Sequence, residues 1–182
     1  MKIIIGLGNP GEQYKNTRHN AGWIFLDNLI KDASWTSNKK FNALTYKEGG
    51  ALFVKPLTFM NNSGQSVQKI LNYYGLIPKS LGLFKKKDED LNEVLTVIQD
   101  DLDISFGEIK IATDSGSAGH RGIESIINHL KTKKFKRLRL GIKNELLKTV
   151  IPAEKFVLQP FNKTELEELK RLAANYAVNN LK

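Results

Sequence analysis

Residues 2–11 read KIIIGLGNPG, and this stretch decides the class of fold. A run of three isoleucines that ends in closely spaced glycines and a proline is typical of a short buried strand. The polar segment 8–20 (GNPGEQYKNTRHN) then predicts a loop, after which Trp23, Leu26 and Ile30 recur at helical spacing. A strand, a polar loop and an amphipathic helix in this order indicate an α/β protein.

The rest of the chain continues this alternation of strands and helices. Residues 43–48 and 51–56 flank Gly49-Gly50, a hairpin signal, so the sheet is predicted to be mixed and not all parallel. Further strands are predicted at 94–98, 108–112 and 135–142, and further helices at 63–74 and 123–130. We therefore expect one domain over residues 1–182, a three-layer α/β sandwich in which helices flank a mixed, twisted sheet.

Two segments near the edges of this pattern have their own predictions. Residues 79–93 include the charged run KKKDEDLNE and are predicted to form a solvated loop insertion. Residues 162–181 are predicted to form a C-terminal helix that docks on the core. Its start combines an Asn162 cap with Glu165 three residues later, and Leu166 and Leu169 begin the apolar stripe.

Composition limits the possible functions. The chain has no cysteine, which excludes disulfides, thiolate metal sites and cysteine nucleophiles. Its 28 Lys and Arg against 19 Asp and Glu give a net charge of +9, which favours a phosphate polymer or an anionic lipid as partner. The sequence has no signal-peptide core and no run near the roughly 18 apolar residues of a membrane span, so a soluble, cytoplasmic protein is expected.

The glycines of GLGNPG suggest one candidate function, a nucleotide-cofactor enzyme. Gly6, Gly8 and Gly11 match the spacing G-x-G-x-x-G after a strand. That motif needs a helix to begin there and an acidic residue at the end of a second strand about 20 residues later. Pro10 and the polar residues that follow disfavour the helix, and a helix is predicted where the second strand would lie. The cofactor function stays a weaker alternative.

Three polar clusters follow predicted strands and suggest hydrolytic chemistry. His19 lies in the loop after the first strand, Asn61 follows the strand 51–56, and Asp100 and Asp101 follow the strand 94–98. Parallel strands bring such clusters to one edge of the sheet. A carboxylate beside an imidazole holds its tautomer and raises its proton affinity, which produces a base suited to neutral pH.

Other chemistries find less support in the sequence. Ser63 and Ser117 lack the G-x-S-x-G context of a serine nucleophile, and no two histidines have metal-ligand spacing, so no metal is expected. His120 is interpreted as a helix cap and His129 as a surface residue. The remaining possibility is direct attack on an ester by a water that His19 activates.

The motifs together resemble the bacterial-type peptidyl-tRNA hydrolase family. They are GLGNPGEQYKNTRHNAG (6–22), KPLTFMNNSG (55–64), DDLD (100–103) followed by a glycine, GSAGHRG (116–122) and FKRLRLGI (135–142). The resemblance extends from about residue 3 to residue 161. It implies a metal- and cofactor-independent esterase that frees tRNA from the peptidyl-tRNA of stalled translation, and a monomer with no obligate protein partner.

The resemblance also assigns roles to individual residues. It implies that His19 is the catalytic base, that Asp100 orients it, and that Asn9 favours N-blocked over free aminoacyl-tRNA. The residues that it implies to contact the substrate are Tyr14, Phe59 and Asn61, and those that it implies to bind tRNA phosphate are Lys110 and Arg139.

This chain departs from the family pattern at three places. Arg121 stands where the family has an asparagine, Ala112 replaces the second of two basic residues, and the connection at 79–93 is longer. A guanidinium only donates hydrogen bonds, so Arg121 is expected to meet a substrate carbonyl or a terminal phosphate. Residues 131–143 add further basic side chains for tRNA. Because Arg121 alters the site, a non-catalytic RNA-binding relative is the second alternative.

Overall fold

The computed structural model describes residues 1–77, 88–147, 151–176 and 181. The strands within these residues are β1 (Lys2–Gly6), β2 (Thr36–Asn38), β3 (Ala43–Glu48), β4 (Ala51–Pro56), β5 (Leu95–Ser105), β6 (Ile109–Ala112) and β7 (Lys136–Lys143). The α-helices are α1 (Ala21–Leu29), α2 (Ser63–Tyr73), α3 (Arg121–Leu130), α4 (Ala153–Phe156) and α5 (Lys163–Asn175). Short 3₁₀ turns lie at Glu12–Tyr14, Arg18–Asn20 and Met60–Asn62.

The strands form one mixed sheet in the order β2-β3-β4-β1-β5-β7-β6. Strands β4, β1, β5 and β7 are parallel, while β2 and β3 on one side and β6 on the other are antiparallel to their neighbours. The hairpin at Gly49-Gly50 joins β3 and β4 at the residues expected, with φ of 54° and 77° that glycine adopts without strain. The predicted α/β fold with a mixed sheet is confirmed.

Helices cover both faces of the sheet, which gives three layers. Successive side chains of a strand point to opposite faces, so Ile3 and Ile5 pack with α2 and α3, whereas Ile4 packs with α1 and α5. All three isoleucines are fully buried, as the opening run predicts. Among the described residues, no helix has the length and apolar character needed to cross a membrane.

Strand β5 differs from its prediction in a way that matters for the site. The strand does not end at Ile98 but continues to Ser105, because it pairs with β7 beyond the point where β1 stops. Its last partner on β1 is Gly6, which lies opposite Ile98. Asp100 is therefore inside a strand, yet it projects beyond the end of β1, where the sheet leaves an open edge.

The glycine-rich loop after β1 does not have the geometry of a dinucleotide site. Gly11 is followed by the 3₁₀ turns Glu12–Tyr14 and Arg18–Asn20, and the first α-helix begins only at Ala21. Gly6 instead allows α1 to approach the sheet, since a Cβ on Gly6 would lie 2.6 Å from the Gly22 carbonyl oxygen. The motif serves packing between strand and helix.

The helix α2 begins as predicted, whereas the segment 79–93 and the C-terminal helix differ in part from their predictions. The helix expected over residues 63–74 is α2, which begins at Ser63, and the Ser63 hydroxyl donates to the Met60 carbonyl. Residues 79–87 lie outside the described residues, and of the remainder Leu91 is buried and not solvated. Asn162 and Glu165 form the expected capping box of α5, but the helix ends at Asn175 and Tyr176 is extended, so the helix is shorter than the 162–181 predicted. Residues 177–180 lie outside the described residues.

Candidate active site

His19 and Asp100 are in direct contact at the open edge of the sheet. The Nδ1 atom of His19 lies 3.0 and 2.9 Å from the two carboxylate oxygens of Asp100. A carboxylate only accepts, so Nδ1 carries the proton and donates it to Asp100. The Nε2 atom of His19 is then left with a free lone pair, which is the arrangement that a general base requires.

Backbone contacts hold His19 in this position. The ring belongs to the 3₁₀ turn Arg18–Asn20, which precedes α1. The backbone N–H groups of Arg18 and His19 donate to the carbonyls of Gln159 and Val157. The loop that carries His19 is therefore tied to a segment that comes about 140 residues later in the chain, and His19 is 8% exposed.

The electrostatics of the pair favour an ionised carboxylate and a basic imidazole. Burial acts to lower the pKa of His19, but the charge and hydrogen bond of Asp100 outweigh it, and the pKa is raised above the ordinary 6.5 even though Arg121 acts against the rise. Burial acts to raise the pKa of Asp100, but His19 and His120 outweigh it and hold that pKa well below its usual range.

Asn9 is fixed beside this pair with one face available. Its backbone exchanges two hydrogen bonds with the side chain of Asn20, and its Oδ1 accepts from the backbone N–H of Met60 at 2.8 Å. Oδ1 is therefore directed at the backbone of Met60, and the amide NH₂ is the end of the side chain left for a bound molecule. Within the described residues no other group contacts that NH₂, and Asn9 lines the cavity above His19.

A cavity of about 560 Å³ contains most of the predicted site. Its lining includes Asn9, His19, Phe59, Asn61, Asp100 and Arg121. Tyr14 is outside the lining but packs edge-on against Phe59, with ring centroids 6.4 Å apart. One wall is apolar and partly exposed, with Phe59 at 54% and Leu158 at 48%.

The charges around the cavity are mostly negative. Its carboxylates are those of Asp100, Asp101, Asp103 and Glu154. Arg121 is the only Lys or Arg among the described residues that line it. Its side chain is exposed, and within the described chain its guanidinium makes no hydrogen bond or ion pair. Arg121 therefore has its donors free for a ligand.

The two predicted tRNA-binding cations lie beside the cavity and not in its lining. Lys110 and Arg139 are paired residues on β6 and β7. Lys110 is exposed and 3.4 Å from Glu108, whereas Arg139 donates from Nε to Asp101 at 2.7 Å. Arg139 is thus attached to a carboxylate that itself lines the cavity.

The wider basic segment 131–143 is less available than its sequence suggests. Arg137 is only 3% exposed, and it donates to the Gly116 carbonyl and the Ser115 hydroxyl, so it fixes the loop before α3 and does not face solvent. Lys134 lies 2.6 Å from Asp88, and Lys133 lies 3.8 Å from Asp114, which is on the loop before α3. Part of the positive charge of this segment is therefore paired with nearby carboxylates of the same chain.

Two histidines behave differently from their sequence interpretation. His120 does cap α3, but its ring also reaches the site, where Nε2 lies 3.0 Å from Asp100 Oδ1. Its ring centroid is 4.9 Å from that of His19. The capping position was the only sequence signal for it. His129 is half-buried, not a surface residue, and its Nδ1 lies 2.8 Å from the carbonyl oxygen of Ser125.

The trio His19, Asp100 and His120 meets the distance requirement for a metal site, although sequence spacing excluded one. One ligand atom from each lies within 4.8 Å of the others. The Nδ1 atom of His120, however, accepts from the N–H groups of Gly122 and Ile123, so the ring proton is on Nε2. A metal would have to replace that proton, and the trio therefore fits a hydrogen-bonded network better than an ion.

The sequence of this chain is similar to those of peptidyl-tRNA hydrolases. The sequence model of the family described as peptidyl-tRNA hydrolase matches residues 3–181. A peptidyl-tRNA hydrolase of Mycoplasma capricolum is 45% identical over 175 residues, which are 93% of this chain and 86% of the relative. One from Bacillus subtilis is 42% identical over 178 residues, 93% of this chain and 85% of the relative.

Solved structures agree. The crystal structure of peptidyl-tRNA hydrolase from Acinetobacter baumannii superimposes with a TM-score of 0.76 at 30% identity, covering 94% of this chain and 82% of that one. The fold, the cavity and these matches together define an enzyme of the ester hydrolase class. The chain belongs, within that class, to the peptidyl-tRNA hydrolase family.

Proposed function

We propose that this chain hydrolyses the ester bond between peptide and tRNA in peptidyl-tRNA, with His19 as the general base and without a metal or other cofactor. The observation that carries the proposal is the contact of His19 Nδ1 with both oxygens of Asp100, which leaves Nε2 free to accept a proton. Such a base contributes roughly 10²–10⁴-fold to a hydrolysis rate.

The proposed reaction proceeds in two proton transfers. His19 Nε2 takes a proton from a water molecule as the water oxygen bonds to the ester carbonyl carbon. The bond from that carbon to the ribose oxygen of tRNA then breaks, and the protonated His19 returns the proton to this oxygen. The products are tRNA with a free hydroxyl and a peptide with a carboxylic acid, which releases the second proton of the water to solvent and becomes a carboxylate. Asp100 stabilises the imidazolium that exists between the two transfers.

Asn9 supplies a basis for selecting N-blocked substrates. Since its NH₂ makes no hydrogen bond within the described residues, it is proposed to donate to a carbonyl oxygen of the peptide part. A free aminoacyl-tRNA presents an ammonium group there, which has no acceptor for that donor. The apolar wall at Phe59 accommodates side chains of the peptide, with Tyr14 supporting Phe59, while Asn61 aligns the substrate or the attacking water.

The tRNA is proposed to bind across the cavity mouth toward Lys110 and Arg139. Arg121 is the cation nearest the reacting groups, and its free donors suit a carbonyl or the terminal phosphate. These assignments describe a single domain that works as a cytoplasmic monomer without a membrane or protein partner.

Release of free tRNA from N-acetyl-aminoacyl-tRNA tests the proposal. The assay contains excess chelator and no nucleotide, and unblocked aminoacyl-tRNA is the matched control substrate. We expect turnover of the blocked substrate and much slower turnover of the free one. Absence of turnover on the blocked substrate, with tRNA still bound, would contradict the proposal.

A further inference from the structure

We propose that His120 is a positioning residue that holds Asp100 in register with His19 and connects the base to the first turn of α3. This inference rests on the proposed function and adds a residue that acts through another. It begins from the finding that Asp100 contacts two imidazoles, His19 at 3.0 and 2.9 Å and His120 at 3.0 Å.

The tautomer of His120 follows from its backbone contacts. Its Nδ1 lies 3.1 Å from the N–H of Gly122 and 3.3 Å from that of Ile123, and both of those groups can only donate. The lone pair of Nδ1 is therefore engaged, and the ring proton is on Nε2. From there it donates to Asp100 Oδ1, the same oxygen that lies 3.0 Å from His19.

The contacts form one directed chain of hydrogen bonds. It runs from the backbone N–H groups at the start of α3 to the ring of His120, then to the carboxylate of Asp100, which also accepts from His19 Nδ1. Asp100 is 2% exposed, so solvent has little access to its carboxylate oxygens. The two imidazole donors belong to separate parts of the fold, the turn before α1 and the residue before α3, and together they restrain rotation of the carboxylate away from His19.

Loss of this constraint is expected to affect catalysis more than binding. If Asp100 turns, His19 loses both its orientation and the charge that stabilises its imidazolium. Misplacement of a catalytic group by about 1 Å can reduce a rate on the order of 100-fold. His120 is a lining residue of the cavity, but its Nδ1 and Nε2 are both engaged by protein groups, so it has little to offer the substrate directly.

Two substitutions separate the two roles of the ring. In His120→Asn, the amide oxygen takes the place of Nδ1 and keeps the cap of α3, but the side chain is too short to reach Asp100. In His120→Gln, the amide nitrogen takes the place of Nε2 and keeps the donor to Asp100, while the cap is weakened. We expect the asparagine variant to lose 10- to 100-fold in kcat with little change in KM or in melting temperature.

The glutamine variant is expected to retain kcat within a few-fold of wild type and to melt at a lower temperature. Unchanged kcat in His120→Asn would overturn the proposal, because the ring would then act only as a cap. Equal losses of kcat in both variants would overturn it too, since the loss would follow the helix cap and not the contact with Asp100.

A spectroscopic measurement keeps this test independent of turnover. Nitrogen NMR of the imidazole rings in the wild-type protein should show His120 protonated on Nε2 and unprotonated on Nδ1. A proton on Nδ1 would overturn the hydrogen-bond chain whatever the activity. If wild type fails to release tRNA while this tautomer is observed, the proposed function is wrong and the positioning contact remains.

Discussion

Arg18 and Glu165 form a buried ion pair that joins the two ends of the described chain. The Nη2 atom of Arg18 lies 3.0 and 2.7 Å from the two carboxylate oxygens of Glu165. The guanidinium also stacks over the rings of Phe156 and Phe161 at 4.5 and 5.0 Å. Since Arg18 directly precedes His19, the start of α5 helps to hold the loop that carries His19 in place.

Substitution of Glu165 is expected to destabilise the protein strongly. Glu165→Ala leaves the buried guanidinium of Arg18 without its charge partner and removes half of the capping box of α5. Breaking a buried ion pair in this way costs about 3–5 kcal/mol of unfolding free energy. Denaturant unfolding measures it, and Glu167→Ala on the same helix, an exposed residue paired with Lys170, is the matched control. Equal effects of the two substitutions would contradict the role of the pair.

Acid should weaken the same contact. Burial acts to raise the pKa of Glu165, but hydrogen bonds from Arg18, Asn162 and Asn144 outweigh it and lower the pKa below the ordinary 4.5. A lowered pKa in the folded state contributes stability that is present above pH 4.5 and is lost as the pH falls through the folded value. We expect wild type to lose stability on acidification below pH 4.5, and Glu165→Ala to lose less over that range. Parallel pH profiles of stability would exclude Glu165 as the source.

Asp100→Asn should impair the base in two measurable ways. The amide can donate to His19 Nδ1 and so favour the wrong tautomer, and it removes the charge that raises the pKa of His19. We expect kcat to fall by about 10²–10⁴-fold. We expect the acid limb of the wild-type pH profile above pH 6.5, because His19 must be neutral to accept a proton, and we expect the substitution to move this limb to lower pH. An acid limb that stays in place would mean that His19 is not the titrating base.

Local signals were sufficient for much of this architecture. The hairpin at Gly49-Gly50 depends on two adjacent residues, and the order of strands predicts that His19 lies at the same sheet edge as Asp100 and Asp101. The choice of Asp100 as the partner of His19 came from the resemblance to the peptidyl-tRNA hydrolase family. The contact of Arg18 with Glu165 joins residues 147 positions apart, and no local pattern marks it.

His120 illustrates a different limit. A residue before a helix is readily interpreted as a cap, and that interpretation was correct. It accounts for one ring nitrogen only, and the partner of the other depends on how far β5 extends past β1. That extension is set by pairing between β5 and β7, so the run of acidic residues alone suggested a turn.

Arg121→Asn tests how the unusual cation tunes the site. The positive charge of Arg121 acts to lower the pKa of His19, so its removal should raise that pKa and move the acid limb of the pH profile to higher pH. If Arg121 also contacts a phosphate, the log-log salt dependence of KM should flatten by about 0.7–0.9. Lys47→Asn, an equal change of charge at an exposed site outside the cavity lining, should change neither. A pH profile identical to wild type would exclude Arg121 from the surroundings of His19.

Arg139 and Asp101 offer a pair of substitutions with opposite expected effects on tRNA binding. The Nε atom of Arg139 is held by Asp101 at 2.7 Å, which leaves its remaining donors for a phosphate but offsets its charge. Arg139→Ala should raise KM and flatten the salt dependence by at most about one. Asp101→Asn removes the competing charge and should lower KM for tRNA substrates at the same salt concentration. If both substitutions leave KM and its salt dependence unchanged, Arg139 is a structural residue, and the phosphate contacts must come from other cations.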